Sequence, residues 1–296
     1  MTTPTTIEVN GVRLAYRQSG QGEPLVLVHG HISDMRSWAA LEERLAQYFC
    51  VYAYSKRFAW PNEPIAEGEP QPWERDADDL VAFVRALDVG SVHAVGNSSG
   101  STNILCAARR EPQLFRTLSL EEPPLITLFY PTLPPTLFDT LSFLFRHPVS
   151  FWPVTVYGAT TIGPAIEHAK RGDDSRAFTT FGSGCLGKFW TEAMANQDRR
   201  RQLEDNAKWL CHFCRYSSLP AYTPQDARDL KLPTLVLTGT EGPCFQRYID
   251  SEFVRLCGSA KKREVRIPGA GHLVHENQPD LVFDEVMKFI SEIRAT

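Results

Sequence analysis

Gly96-Asn97-Ser98-Ser99-Gly100 places a serine between two glycines, directly after the apolar run Val92–Gly96 and directly before the helical segment Thr102–Arg110. A serine on so tight a strand-to-helix turn holds its hydroxyl out at the carboxyl end of a sheet, above a helix N-terminus. The glycines are needed because side chains there would collide with neighbouring backbone. The bland alternative is a glycine-rich turn with a capping serine; the strand–turn–helix context favours a nucleophile. Ser99 competes for the role, but only Ser98 has the required spacing from both glycines. A serine hydroxyl is a poor nucleophile until a base takes its proton. Gly269-Ala270-Gly271-His272 offers that base, on a loop of small residues from which an imidazole can reach across to the sheet edge. His275 is the second candidate. His29-Gly30-His31 follows the first buried apolar run, and the backbone N–H groups of His31 and Ser99 are the expected donors to a developing oxyanion. The His31 ring is then free either to line a pocket or to sit at the surface.

These residues need elements to position them. Thr6–Glu8 and Arg13–Gln18 read as short strands joined by the turn signal Asn10-Gly11. Pro24–His29 is a Val- and Leu-rich run suited to a strand buried on both faces of a parallel sheet. Helical spacing over Trp38–Tyr48, a strand at Cys50–Ser55, an amphipathic helix over Trp73–Leu87 and a strand at Leu118–Glu122 follow. Alternation of this kind predicts an α/β fold, a mostly parallel sheet with helices on both faces. The rhythm breaks at Pro123. From Pro123 to Phe138 there are five prolines and no charge, and the aromatic theme continues through Phe138–Phe145 and Ser150–Tyr157. A charged helix is expected over Asp198–Trp209. The rhythm resumes with a short helix near Asp226, a strand at Thr234–Thr238, a helix over Tyr248–Cys257, a strand at Arg263–Ile267 and a closing helix over Leu281–Ile293. The expected organisation is a discontinuous core, residues 1–122 and 223–296, interrupted by a helical cap over residues 123–222.

Composition narrows the function classes. The chain has 296 residues, 43% hydrophobic, with a formal net charge of -4. That balance gives no reason to expect nucleic acid or an anionic membrane as partner. The uncharged run after Pro123 is too short and proline-rich for a spanning helix, so no membrane span is expected. The opening MTTPTTIEVNGVRL lacks the basic and apolar regions of a signal peptide, and seven scattered cysteines fit reduced thiols; a cytoplasmic protein is the expectation. Cys211 and Cys214 form a C-x-x-C with no answering pair and read as core or groove thiols. No H-E-x-x-H, Walker loop or dinucleotide fingerprint is present, so no metal and no cofactor are expected.

Taken together, the strand and His-Gly opening, GNSSG, the inserted segment and the terminal GAGH resemble the α/β-hydrolase superfamily over nearly the whole chain outside the cap. The order of nucleophile before base agrees with that fold. The resemblance implies a carboxylate as third partner, most often after the strand read as Thr234–Thr238. This chain continues Gly239-Thr240-Glu241-Gly242-Pro243, with Gly242 at the usual aspartate position and Glu241 one residue early. Some relatives, including many haloalkane dehalogenases and the zearalenone lactonases, place a glutamate at the preceding strand end, about two dozen residues after the nucleophile. Glu122 lies 24 residues after Ser98. Glu122 is therefore the expected acid, with Glu241 as alternative and Glu121 third; a salt-bridged glutamate pair at a cap hinge is the structural reading of Glu121-Glu122.

A serine with an oxyanion hole and a histidine base suits acyl transfer, whereas relatives that open epoxides or remove halide usually attack with aspartate. The resemblance thus implies an ester or lactone hydrolase acting on a hydrophobic small molecule. A carbon–carbon bond hydrolase is the alternative, as is a non-hydrolytic ligand-binding or lyase member of the fold. A homodimer is left open.

Overall fold

The computed structural model describes residues 5–69, 74–131, 133–216 and 221–295. Its sheet has eight strands: β1 (Thr5–Val9), β2 (Val12–Ser19), β3 (Glu23–Val28), β4 (Phe49–Tyr54), β5 (Val92–Asn97), β6 (Phe115–Glu121), β7 (Thr234–Gly239) and β8 (Lys262–Ile267). They lie in the order β1-β2-β4-β3-β5-β6-β7-β8. Pairings β1–β2 and β2–β4 are antiparallel and the other five are parallel. The first hairpin turns at Asn10-Gly11, both with positive φ, as the Asn-Gly signal requires.

Alternation along the strands builds the two faces. In β3, Leu25 and Leu27 join one apolar cluster, and Val26 and Val28 join the other. The first cluster is closed by α1 (Ala39–Leu45) and the last helix. The second is closed by α2 (Glu74–Leu87) and α3 (Ser99–Arg110). Trp73, the expected start of α2, lies outside the described residues. From β3 the chain moves to β4 on one side, then returns to β5 on the other. The sheet order reverses between β3 and β5, and at such a point the carboxyl ends of the strands open a crevice. His29-Gly30-His31 ends β3, GNSSG ends β5 and Glu122 follows β6, so the crevice collects the residues singled out for chemistry.

Between β6 and β7 the chain forms α4 (Leu137–Arg146), α5 (Pro148–Tyr157), α6 (Gly163–Lys170), α7 (Asp174–Leu186), α8 (Phe189–Ala195), α9 (Gln197–Asp205) and α10 (Ala207–Tyr216). This stretch is not one body. Phe129, Phe143, Phe151 and Val154 pack into the same cluster as α2 and α3. Ala169, Ala177, Phe178, Leu203, Leu210, Cys211 and Cys214 form a separate cluster with Ile32. The first helices after residue 123 thus pack on the core, and the later ones on each other. The helix expected over Asp198–Trp209 is broken at Asn206. That side chain is taken up elsewhere: its Nδ2 donates to Asp34 Oδ2 (2.7 Å) and its Oδ1 accepts from Trp60 N (3.0 Å), which fastens the helices to the β3 side of the core.

After α11 (Pro224–Asp229) and β7, the fold finishes with α12 (Gln246–Leu256), β8, α13 (Val274–Asn277) and α14 (Pro279–Arg294). Cys211 and Cys214 sit one helical turn apart on α10, both buried, where burial pushes the thiols up to about 11 and about 12. They pack as apolar residues. No described helix is long and apolar enough to cross a membrane.

Candidate active site

Ser98 ends the β5 turn with φ 52° and ψ -120°, a conformation that non-glycine residues rarely adopt. Its neighbours explain how the turn closes so tightly. A Cβ on Gly100 would stand 2.0 Å from the Val28 carbonyl oxygen, and one on Gly96 would stand 2.9 Å from the backbone of Gly100 and Ser101. Ser98 N donates to the Glu121 carbonyl (2.7 Å), locking the turn to β6. Ser99 is the first residue of α3, so its N–H has no partner within the helix and is available to an oxyanion.

The expected acid sits one strand away. Glu122 follows the last residue of β6 with φ 43°, and its N–H bonds Leu237 O (3.2 Å), which ties it to β7. Its side chain is 1% exposed. Oε1 accepts the Gly239 N–H (2.9 Å), and Oε2 accepts from His272 Nδ1 (2.6 Å). With the Nδ1 proton held by the carboxylate, Nε2 is left as the basic nitrogen. His272 and Ser98 line the same small cavity. Glu241, by contrast, faces outward and pairs with Lys188 Nζ (2.9 Å); it is 43% exposed and touches neither residue. Gly242 is the informative neighbour. A Cβ there would lie 3.4 Å from Glu122 Oε1, so the ends of β6 and β7 converge on one place beside His272, and here Glu122 from the β6 side fills it.

Glu121 and His275 form a second pair beneath the first. His275 Nδ1 donates to Glu121 Oε2 (2.6 Å), and the ring stacks on Trp38 with centroids 3.8 Å apart. Both side chains are buried, His275 lines neither cavity, and the two work as internal structure. Asn97 couples the two pairs: its Nδ2 donates to the His272 carbonyl (2.9 Å) and to Glu121 Oε2 (3.2 Å). The residue before Ser98 thus holds the histidine loop in place.

His31 lies in the cavity wall beside Ser98, under the helices that follow β6. Its ring packs on Phe213 (4.2 Å) and Trp209 (5.0 Å). Burial and the nearby Lys56 hold its pKa well below the usual value, so the ring is neutral. The surface reading of this histidine is replaced by a pocket-wall one. His29 is a brace: its Nε2 accepts from Lys56 N (2.9 Å) and Nδ1 donates to Gly30 O (2.8 Å).

Sequence reasoning did not find Lys56. Its side chain is 1% exposed, Nζ donates to Ser99 Oγ (2.9 Å), and Asp76 Oδ2 stands 3.7 Å away. Arg57 beside it grips Asp79 through two bonds, at 2.7 and 2.8 Å. The signal was present: Asp76 and Asp79 are one turn apart on the otherwise apolar face of α2, and buried carboxylates require cationic partners.

Two cavities meet at His272. The inner one, of about 10 Å³, is lined by Ser98, Asn97, His31, Ile32, Phe181 and Cys185 among others. The outer one, of about 210 Å³, is lined by Phe189 and Ala193 but also by Glu192, Asn196 and Glu276. Leu186, Arg199, His272 and Leu273 line both. A hydrophobic substrate was expected, and the outer part of the pocket is mixed. Trp152 is 65% exposed on the outer side of α5, and Trp190 packs against Gly182 and Phe178 inside the helical segment; Phe181 and Phe189 are the aromatic pocket walls. Among the described residues, no group of three or more His, Cys, Asp or Glu side chains is arranged to hold a metal ion.

The chain is 32% identical over 121 residues to N-formylmaleamate deformylase of Pseudomonas putida, covering 40% of this chain and 44% of that protein. It is 24% identical to 2-(acetamidomethylene)succinate hydrolase of Mesorhizobium japonicum, covering 96% and 94% of the two chains. The enol-lactonase of Burkholderia xenovorans LB400 shares the fold with a TM-score of 0.72 at 18% identity, over 97% of this chain and all of that one. The profile of the alpha/beta hydrolase family matches residues 25–285, and the chain belongs to that family.

Proposed function

We propose that the protein is a serine hydrolase that cleaves an ester or lactone through an acyl-enzyme on Ser98. The observation that carries this reading is the 2.6 Å contact of Glu122 Oε2 with His272 Nδ1, at the edge of the cavity that Ser98 lines. His272 Nε2 takes the Ser98 proton as Oγ attacks the carbonyl carbon. The oxyanion is received by the N–H groups of Ser99 and His31. His272, now an imidazolium stabilised by Glu122, returns the proton to the leaving oxygen. Water then attacks the acyl-enzyme by the same route, releasing the acid. Helices α7 to α10 act as the cap that keeps other water out. The inner wall of Ile32, Phe181, Leu186 and Leu273 is apolar and the outer cavity mixed, which suits a substrate with both apolar and polar parts.

The test is labelling with a fluorophosphonate, mapped by mass spectrometry, alongside turnover of aryl esters, lactones, N-acyl compounds of the kind named for the relatives, and vinylogous diketones, with Ser98→Ala as blank. Labelling at Ser98 with ester or lactone turnover is the expected result. Consumption of the diketone alone would move the reading to carbon–carbon cleavage. Neither labelling nor turnover would move it to ligand binding.

A further inference from the structure

Arg199 is the one permanently charged side chain that lines both cavities. It sits in the first turn of α9, at the N-terminal end of the helix dipole, where a cation is disfavoured. Helix stability therefore does not account for it. Its side chain is only 11% exposed. A guanidinium cannot shed its charge by releasing a proton, so its donors must find acceptors or remain a cost.

The protein supplies only some of those acceptors. Nη1 donates to Gln202 Oε1 (2.5 Å). Nε stands 3.2 Å from Glu276 Oε2 without hydrogen-bond geometry. Nη2 is buried and has no partner among the described residues. The other charged groups lining the outer cavity are Glu192 and Glu276, both acidic, and neither satisfies Nη2. A buried cationic edge is thus left without an acceptor in the wall beside the residue that carries the base, His272.

We propose that Arg199 anchors a carboxylate on the substrate, so that the enzyme selects acidic acyl compounds over their neutral counterparts. The inference rests on the acyl-transfer reading above and adds the substrate class to it. The carboxylate enters through the outer cavity and accepts from Nη2 once the Arg199 side chain turns that buried atom toward it, while the scissile carbonyl lies at Ser98. Glu192, on the same cavity's wall, disfavours an anion placed beside it. The outer cavity, about 210 Å³, holds about seven waters at ~30 Å³ each, which suits a compact acid.

The test compares 4-nitrophenyl hydrogen succinate with its neutral methyl ester, which share one leaving group. Wild type should favour the acid in kcat/KM. Arg199→Gln should lower the acid-to-neutral ratio about thirtyfold, as expected for loss of a hydrogen bond to a charged group, mainly through KM. Arg199→Lys should keep part of the ratio. A ratio that stays unchanged while both activities fall would make Arg199 only a tie between α9 and the histidine loop, and would overturn the proposal. A second arm needs no turnover: calorimetric binding of monomethyl succinate to Ser98→Ala and to Ser98→Ala/Arg199→Gln. Weaker binding to the double variant supports the anchor even if neither ester is hydrolysed, whereas equal affinity overturns it even if both are.

Discussion

Glu122→Gln should nearly abolish turnover, and the hydrogen bonds around the residue show why an amide is so damaging. Oε1 receives the Gly239 N–H and Oε2 receives the His272 Nδ1–H. A glutamine has one oxygen and one NH2 for these two places. Turning the NH2 toward Gly239 would set two donors against each other in a buried site, so the oxygen stays there. The NH2 then faces His272 and must donate to Nδ1. The imidazole proton moves to Nε2, the nitrogen that should receive the Ser98 proton. Trapping this tautomer removes the base without moving a heavy atom. Loss of kcat on the order of ten-thousandfold is expected, equivalent to ~5 kcal/mol in the barrier. The assay is kcat on the best ester of the panel, with circular dichroism to confirm folding and Glu241→Gln as control. The control should stay within about threefold of wild type, since its exposed pair with Lys188 is of the kind worth ~0–1 kcal/mol. Turnover of Glu122→Gln within tenfold of wild type, or a large loss in the control, would refute the reasoning.

Other expectations follow from the same geometry. Ser98→Ala and His272→Ala should each lower kcat by about a millionfold, and together by little more, because they serve one covalent route; additive losses in the double variant would argue against a shared step. Glu122→Ala/Gly242→Asp should recover at least about a hundredfold of the activity lost in Glu122→Ala, since the two strand ends share one acid seat; no recovery in a folded double variant would show that the seats differ. Lys56 gives a pH signature. Burial pushes its ammonium from 10.5 down to about 8, with Asp76 opposing the fall. Between these values the unfolded chain holds a proton that the folded one lacks, so this group's contribution to stability rises with pH, by about 3 kcal/mol in all. Urea unfolding at pH 7.5 and pH 10 should show a more favourable pH response for wild type than for Lys56→Met; identical responses would mean that Lys56 titrates normally.

Much of this architecture is legible in the sequence because the signals are local. Gly96 and Gly100 must be glycine for steric reasons that depend only on a tight strand-to-helix turn. The apolar runs of β3, β5 and β7 report burial on two faces. The helix ending at Arg110 begins three residues earlier than its spacing predicts, because Ser99-Gly100-Ser101 carry no periodic apolar signal. The break at Asn206 is hidden for another reason: its partners, Asp34 and Trp60, lie far away in the chain. Trp152 and Trp190 show the limit most clearly. An aromatic residue is apolar wherever it points, so composition cannot separate a pocket wall from an exposed helix face or an interior contact. Arg199 is likewise one of three successive arginines in the sequence, and only the fold turns it inward.

The cavity beside Ser98, at about 10 Å³, has room for roughly one water. No acyl group fits unless Phe181, Cys185 and Leu186 on α7 draw back. That helix cannot yield residue by residue. A Cβ on Gly182 would stand 2.3 Å from the Trp190 ring, and one on Gly184 would stand 2.1 Å from Thr161, so α7 is fitted flush to what lies behind it. Where admission is a collective event of this kind, its tempo is independent of the bond to be broken. Better leaving groups should then gain nothing beyond a certain intrinsic reactivity, and substrates of very different chemistry should share one ceiling on speed, set by the opening of a wall.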